Sequence, residues 1–65
     1  MKEFHGIVID DILKVRSNAD IDESNVIGEL SKDTDVRIDV KTDDFYLIYY
    51  NDGFAYVQAT GINEV

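Results

Sequence analysis

A chain of 65 residues with no cysteine and a single histidine has none of the usual staples of a very small domain. Without cysteine there is no disulfide framework, and one histidine cannot build a zinc cluster. A chain this short forms one domain and buries only about 60% of the surface its unfolded form exposes. Its core must rest on aliphatic and aromatic packing alone. The missing cysteines leave the compartment open, because a reduced cytosol and a cysteine-free extracellular module both permit them.

The apolar residues come in short runs cut by polar turns. GIVI (6–9) and ILKV (12–15) flank Asp10 and Asp11, and RSNADIDESN (16–25) is a long polar loop. VIGEL (26–30) is a short strand, and SKDTD (31–35) is a turn. VRIDV (36–40) alternates, which places Val36, Ile38 and Val40 on one face and Arg37 and Asp39 on the other. KTDD (41–44) is a turn before FYLIYY (45–50), and Asn51-Asp52-Gly53 makes a tight hairpin into FAYVQA (54–59). TGINEV closes the chain with about one helical turn. A helix over 20–32 is the competing reading, opposed by Gly28 and the β-branched pair Val26-Ile27. Strands at this spacing predict an all-β fold, a small antiparallel barrel.

Several strings, in this order and spacing, resemble the bacterial Src homology 3 (SH3-like) domain family. Leu13-Lys14-Val15-Arg16-Ser17 is similar to that family's L-N-V-R-S, and Val26-Ile27-Gly28-Glu29-Leu30 to V-I-G-x-L. Asp33-Thr34-Asp35-Val36 stands in the place of G-T-x-V, Phe45-Tyr46-Leu47-Ile48 in that of W-Y-K-V, and Gly53-Phe54-Ala55-Tyr56-Val57 in that of G-x-x-G-Y-V. The resemblance spans about residues 6–62. It implies an SH3-like barrel of five to six antiparallel strands with a long loop after the first strands, an extension at 1–5 and a tail at 63–65. It also implies non-catalytic docking of peptidoglycan or peptide segments, as an accessory module of a wall or surface protein. The chain departs from the pattern where Asn18-Ala19 replaces Gly-Pro, Phe45 the tryptophan, Asp44 and Ala55 glycines, and Gly61 a tyrosine. Leu47 and Tyr49 occupy places where the family carries polar or basic residues.

Fourteen acidic against six basic side chains give a net charge of −8. That balance argues against a nucleic-acid backbone, whose binding gains from lysine and arginine at phosphates, and against anionic membrane surfaces. No apolar run approaches the ~20 residues of a membrane span, and MKEFHGIVIDDIL lacks the apolar core of a signal peptide. With Met1 as the native start, the expected location is the cytoplasm or a virion. As a piece of an exported protein, it is the cell wall. The same charge supports an alternative: a stand-alone acidic interaction protein, such as a phage structural component or an inhibitor of a host nucleic-acid-binding protein.

Catalytic and metal chemistry find little footing. His5 has no cysteine or serine partner beside it and reads as a surface histidine. DIDESN gathers three acids but lacks the glycine and closing glutamate of a calcium loop, so its acids read as solvated turn residues. Arg16 is expected to pin the long loop by an ion pair with its acids, and Asp43 and Asp44 to make the turn before the aromatic strand. The expectation is therefore no enzyme, no metal and no cofactor.

The partner surface is sought in DDFYLIYYNDGFAYVQ (43–58), where six of sixteen residues are aromatic. Alternation puts Tyr46, Ile48 and Tyr50 on one face and Phe45, Leu47 and Tyr49 on the other. An exposed row of Phe45, Leu47 and Tyr49, joined by Phe54 across the hairpin, is the predicted binding surface for a protein, a peptide or a peptidoglycan fragment. The competing expectation is that the chain's own termini cover this face. The oligomeric state stays open.

Overall fold

Apart from two single 3₁₀ turns, Glu23–Asn25 and Ala59–Gly61, every regular element in the computed structural model, which describes residues 4–65, is a β-strand. The strands are β1 (Phe4–Val8), β2 (Ile12–Arg16), β3 (Val26–Ser31), β4 (Asp35–Lys41), β5 (Phe45–Tyr50), β6 (Gly53–Gln58) and β7 (Ile62–Glu64). All pair antiparallel in one sheet of order β3-β2-β6-β5-β4-β1-β7. The all-β, barrel-like architecture expected from the sequence is present, with seven strands rather than five or six. Phe4 and His5, assigned above to an extension, begin β1, while residues 1–3 lie outside the described residues. The expected tail at 63–65 contributes Asn63 and Glu64 to β7. No helix occupies 20–32, because Asp22 caps only the one turn Glu23–Asn25 before the chain extends into β3.

The core is aliphatic: Val8, Leu13, Val15, Val36, Ile38, Ile48, Ala55, Val57 and Ile62 form one buried cluster, with Phe4, Leu30, Tyr46 and Tyr50 packed against it. The sheet is not closed by hydrogen bonds, since β3 and β7 are its two edges. Curling brings the edge strand β3 under the end of β5. There the Tyr50 hydroxyl lies so close to Gly28 that a Cβ at Gly28 would sit 2.1 Å from it. Glycine is required at this position by close approach, which explains the isolated glycine inside a strand pattern.

The alternation in β4 breaks where the sequence shows no sign of it. Ile38 pairs with Ile48 and Val40 with Leu47, so two steps on β4 match one on β5, leaving Asp39 as the extra residue of a β-bulge. Val36 and Ile38 are buried as expected, but the bulge turns Val40 to the outer face beside Leu47, where it is exposed.

The hairpin turn forms at the expected place with a different distribution of strain. Tyr50 pairs with Gly53 around a two-residue loop, and the left-handed backbone angles fall on Asn51 (φ 47°) and Asp52 (φ 65°), while no glycine has positive φ. Both central residues of such a mirror-image turn need positive φ, which asparagine and aspartate tolerate less well than glycine. Asp33 (φ 73°) holds a third left-handed position in the 31–34 turn, where Thr34 N–H donates to the Ser31 carbonyl at 3.2 Å. That is the position of the glycine in the G-T-x-V string.

Two stability predictions follow from these contacts. Asp33→Gly and Asp52→Gly should each stabilise the domain by about 0.5 kcal/mol, raising Tm by a few degrees; a lowered midpoint for either would contradict the turn assignment. Gly28→Ala should cost about 1–2 kcal/mol, and less when Tyr50→Phe first removes the hydroxyl. Strict additivity in that double-mutant cycle would show that the two residues do not meet.

Candidate functional site

Arg16 ends β2 on the face of the sheet opposite the core, in register with Tyr56 of β6. Only 4% of it is exposed. Its Nη1 donates to the Asp22 carbonyl at 2.9 Å and to Asn25 Oδ1 at 3.1 Å. Asn25 in turn donates from Nδ2 to the Asp20 carbonyl at 3.0 Å. The residue does pin the long loop, but through carbonyl and amide oxygens rather than through the carboxylate expected from the sequence. Glu23 pairs instead with Lys14, at 3.1 Å.

Asp22 sets the loop's last turn. Its Oδ1 accepts from Ser24 N–H at 3.0 Å and from the Ser24 hydroxyl at 2.9 Å. These two bonds, the backbone one foremost and the Arg16 charge adding to them, hold the Asp22 carboxyl below its ordinary value of 3.8. The aspartate N-cap and its serine two positions on form the local motif that lets a polar loop adopt one shape.

The loop so held forms one wall of a groove of about 440 Å³, contributed by Ala19, Asp20 and Ile21. Asp43, Asp44, Phe45, Gln58 and Thr60 complete its lining. The 42–45 turn is tied by Thr42, whose N–H donates to the Phe45 carbonyl at 3.0 Å, whose hydroxyl donates to the same carbonyl, and whose Oγ1 accepts from Phe45 N–H at 3.3 Å. The Asp44 carbonyl accepts from Ala59 N–H at 2.9 Å, fixing the turn to the second 3₁₀ segment. Three aspartates therefore line the groove, and no lysine or arginine among the described residues does. Asp43 and Asp44, read from the sequence as turn formers alone, leave the turn's side-chain bonding to Thr42.

The predicted surface residues separate into two groups. Phe45, Leu47 and Tyr49 do share the outer face of β5, opposite Gln58, Tyr56 and Phe54 on β6. Phe45, expected exposed, is buried at 8%, although it stands apart from the aliphatic core cluster. It shares the lining of the groove with the 19–21 loop and the 43–44 turn. Leu47 is half-buried, while Tyr49 and Phe54 are 43% and 55% exposed. Their ring centroids are 5.0 Å apart, tilted by 43°. The Arg37 guanidinium carbon lies 4.6 Å from the Tyr49 ring centre, and the Tyr49 hydroxyl donates to Asp39 Oδ1 at 3.3 Å.

Asp20, Ile21, Gln58 and Thr60 complete the groove without a sequence signal, since only the fold brings the loop, the turn and the second 3₁₀ segment together. Gly61 ends that segment packed on β2, where a Cβ would meet Leu13 Cδ1 at 2.5 Å. A tyrosine in its place has no room in this packing. His5 is half-buried in β1 with Nδ1 3.6 Å from Asp35 Oδ1. Among the described residues, no group of three or more histidine, cysteine or acidic side chains is placed to hold a metal ion. No helix there is long and apolar enough to cross a membrane.

The depressed Asp22 carboxyl gives a pH dependence of defined sign. Ionised Asp22 supports the loop above 3.8, and that support is lost as pH falls below 3.8 through the lower folded value. Carbon-detected NMR titration should place Asp22 below the free value, and Ser24→Ala should move it back upward. An unchanged midpoint in that variant would rule out the serine hydroxyl as a cause.

Comparison with protein-family models, with curated proteins and with solved structures finds no match to this chain.

Proposed function

We propose that this protein is a non-catalytic binding module that docks an extended basic peptide segment in the groove between the 17–25 loop and the 42–44 turn. One observation carries the reading: Asp20, Asp43 and Asp44 line one groove together with Ile21 and Phe45, and no cationic side chain among the described residues lines it. Exposed Ile21, lining the groove with Phe45, offers contact to the methylene stem of a lysine or arginine, and the surrounding carboxylates accept its charged head. The site is also anchored before any ligand arrives, through Arg16, Asn25, Asp22 and Thr42. A preformed wall lowers the ordering cost of binding.

The excess of acid over base favours this partner over an anionic one. The net charge of −8 raises the encounter rate with a basic segment and repels wall polymers that carry phosphate or carboxylate. A basic tail of another protein is therefore the favoured source of the segment, ahead of peptidoglycan.

The test is binding of a fluorescein-labelled decapeptide carrying one arginine in a glycine–serine background, followed by anisotropy at low and at ~0.15 M salt. Asp43→Asn with Asp44→Asn should weaken binding about tenfold, well beyond the effect of Asp11→Asn with Glu29→Gln, which removes the same charge elsewhere. Equal losses in the two double variants would reduce the interaction to net charge and sink the groove. Sedimentation of the wild type with purified peptidoglycan, insensitive to Asp43 and Asp44, would instead identify wall material as the ligand.

A further inference from the structure

The groove does not end the outer face of β5. Its ladder with β6 runs without a register shift from Phe45–Gln58 through Leu47–Tyr56 to Tyr49–Phe54. The outward side chains thus form a continuous track from the groove to the hairpin tip. Four residues of strand separate Phe45 from Tyr49, about 14 Å. At the far end Tyr49, Phe54, Asn51 and Asp52 bound a shallow concavity. Phe54 is the most exposed ring on this face at 55%, and Asp52 supplies a carboxylate beside it.

Within the chain Arg37 already stacks over Tyr49, whose hydroxyl donates to Asp39, so the Phe54 ring is the one left for an incoming guanidinium. Aromatic faces backed by carboxylates suit arginine in particular, through cation–π attraction and paired hydrogen bonds. The aliphatic core cluster is complete without these rings, as neither Tyr49 nor Phe54 belongs to it or packs on it.

We propose that Phe54 and Asp52, with Tyr49 buttressing the Phe54 ring, form a second subsite that takes an arginine side chain of the same basic segment, four residues from the cation held in the groove. The inference rests on the groove reading above and adds a spacing rule to it. An extended ligand advances about 3.4 Å per residue, so a spacing of four matches the track. Spacings of two and six put the second arginine on the correct side of the ligand but short of the tip or beyond it.

Labelled decapeptides with two arginines set two, four or six residues apart provide the test, with the one-arginine peptide as reference. The peptide of spacing four should bind about fivefold more tightly than the others. Asp52→Asn and, separately, Phe54→Ser should erase that gain while leaving the one-arginine peptide unchanged, and Glu29→Gln should retain it. Asn tolerates the left-handed angle at position 52, and thermal melts establish that both variants fold. Equal affinity at all three spacings, or a gain that survives both tip variants, overturns the second subsite and leaves the groove standing. Loss of the one-arginine interaction's dependence on Asp43 and Asp44 overturns the groove and this proposal with it.

Discussion

The buried guanidinium of Arg16 is the contact on which the shape of the groove depends. Burying a cation is costly unless its donors are met by oxygen. Here the Asp22 carbonyl and the Asn25 amide meet Nη1, while Nε remains buried without a partner. The arrangement gives the long loop one conformation, because Asn25 passes the link on to the Asp20 carbonyl. Asp20 is also a wall residue of the groove. The loop contains no proline and no glycine, so its shape comes from side-chain hydrogen bonds rather than from backbone restriction.

Much of the fold was legible because period-two patterning decides it. In FYLIYY and FAYVQ the regular ladder buries Ile48, Ala55 and Val57 and keeps Tyr46 and Tyr50 on the same side. The inward and outward assignments in β5 therefore follow from alternation alone. Alternation failed at Val40, where a bulge adds Asp39 to β4, and nothing in VRIDVK marks such an insertion. It also could not say that the outward Phe45 would be covered. Phe45 shares its groove with a loop more than twenty residues earlier in the sequence, and local periodicity carries no information about that proximity.

The candidate site was half visible for the same reason. Tyr49 and Phe54 were recognisable as exposed partners because they face each other across a two-residue hairpin, a local relation. The acidic groove was not, because Asp20, Asp43, Asp44 and Thr60 come from three separate connections. Aspartates in a turn read as turn formers when only neighbouring residues are considered. The role falls to Thr42 here, which leaves the two carboxylates directed to solvent rather than used in the backbone.

The aromatic excess of 43–58 is thus divided by the sheet into two kinds of work. Inward, Tyr50 reaches the opposite edge strand at Gly28 and helps close a barrel that hydrogen bonds leave open between β3 and β7. Outward, the rings add nothing to the aliphatic cluster, whose nine members are small enough to pack within a 65-residue chain. A domain this small gains little from apolar area left facing water. Tyr49 and Phe54, kept on one face near Asp39 and Asp52, have the chemistry that the proposed cationic ligand would use. The proposed function and the further subsite therefore rest on a single property of β5: the strand presents the core on one side and an acid-edged aromatic track on the other.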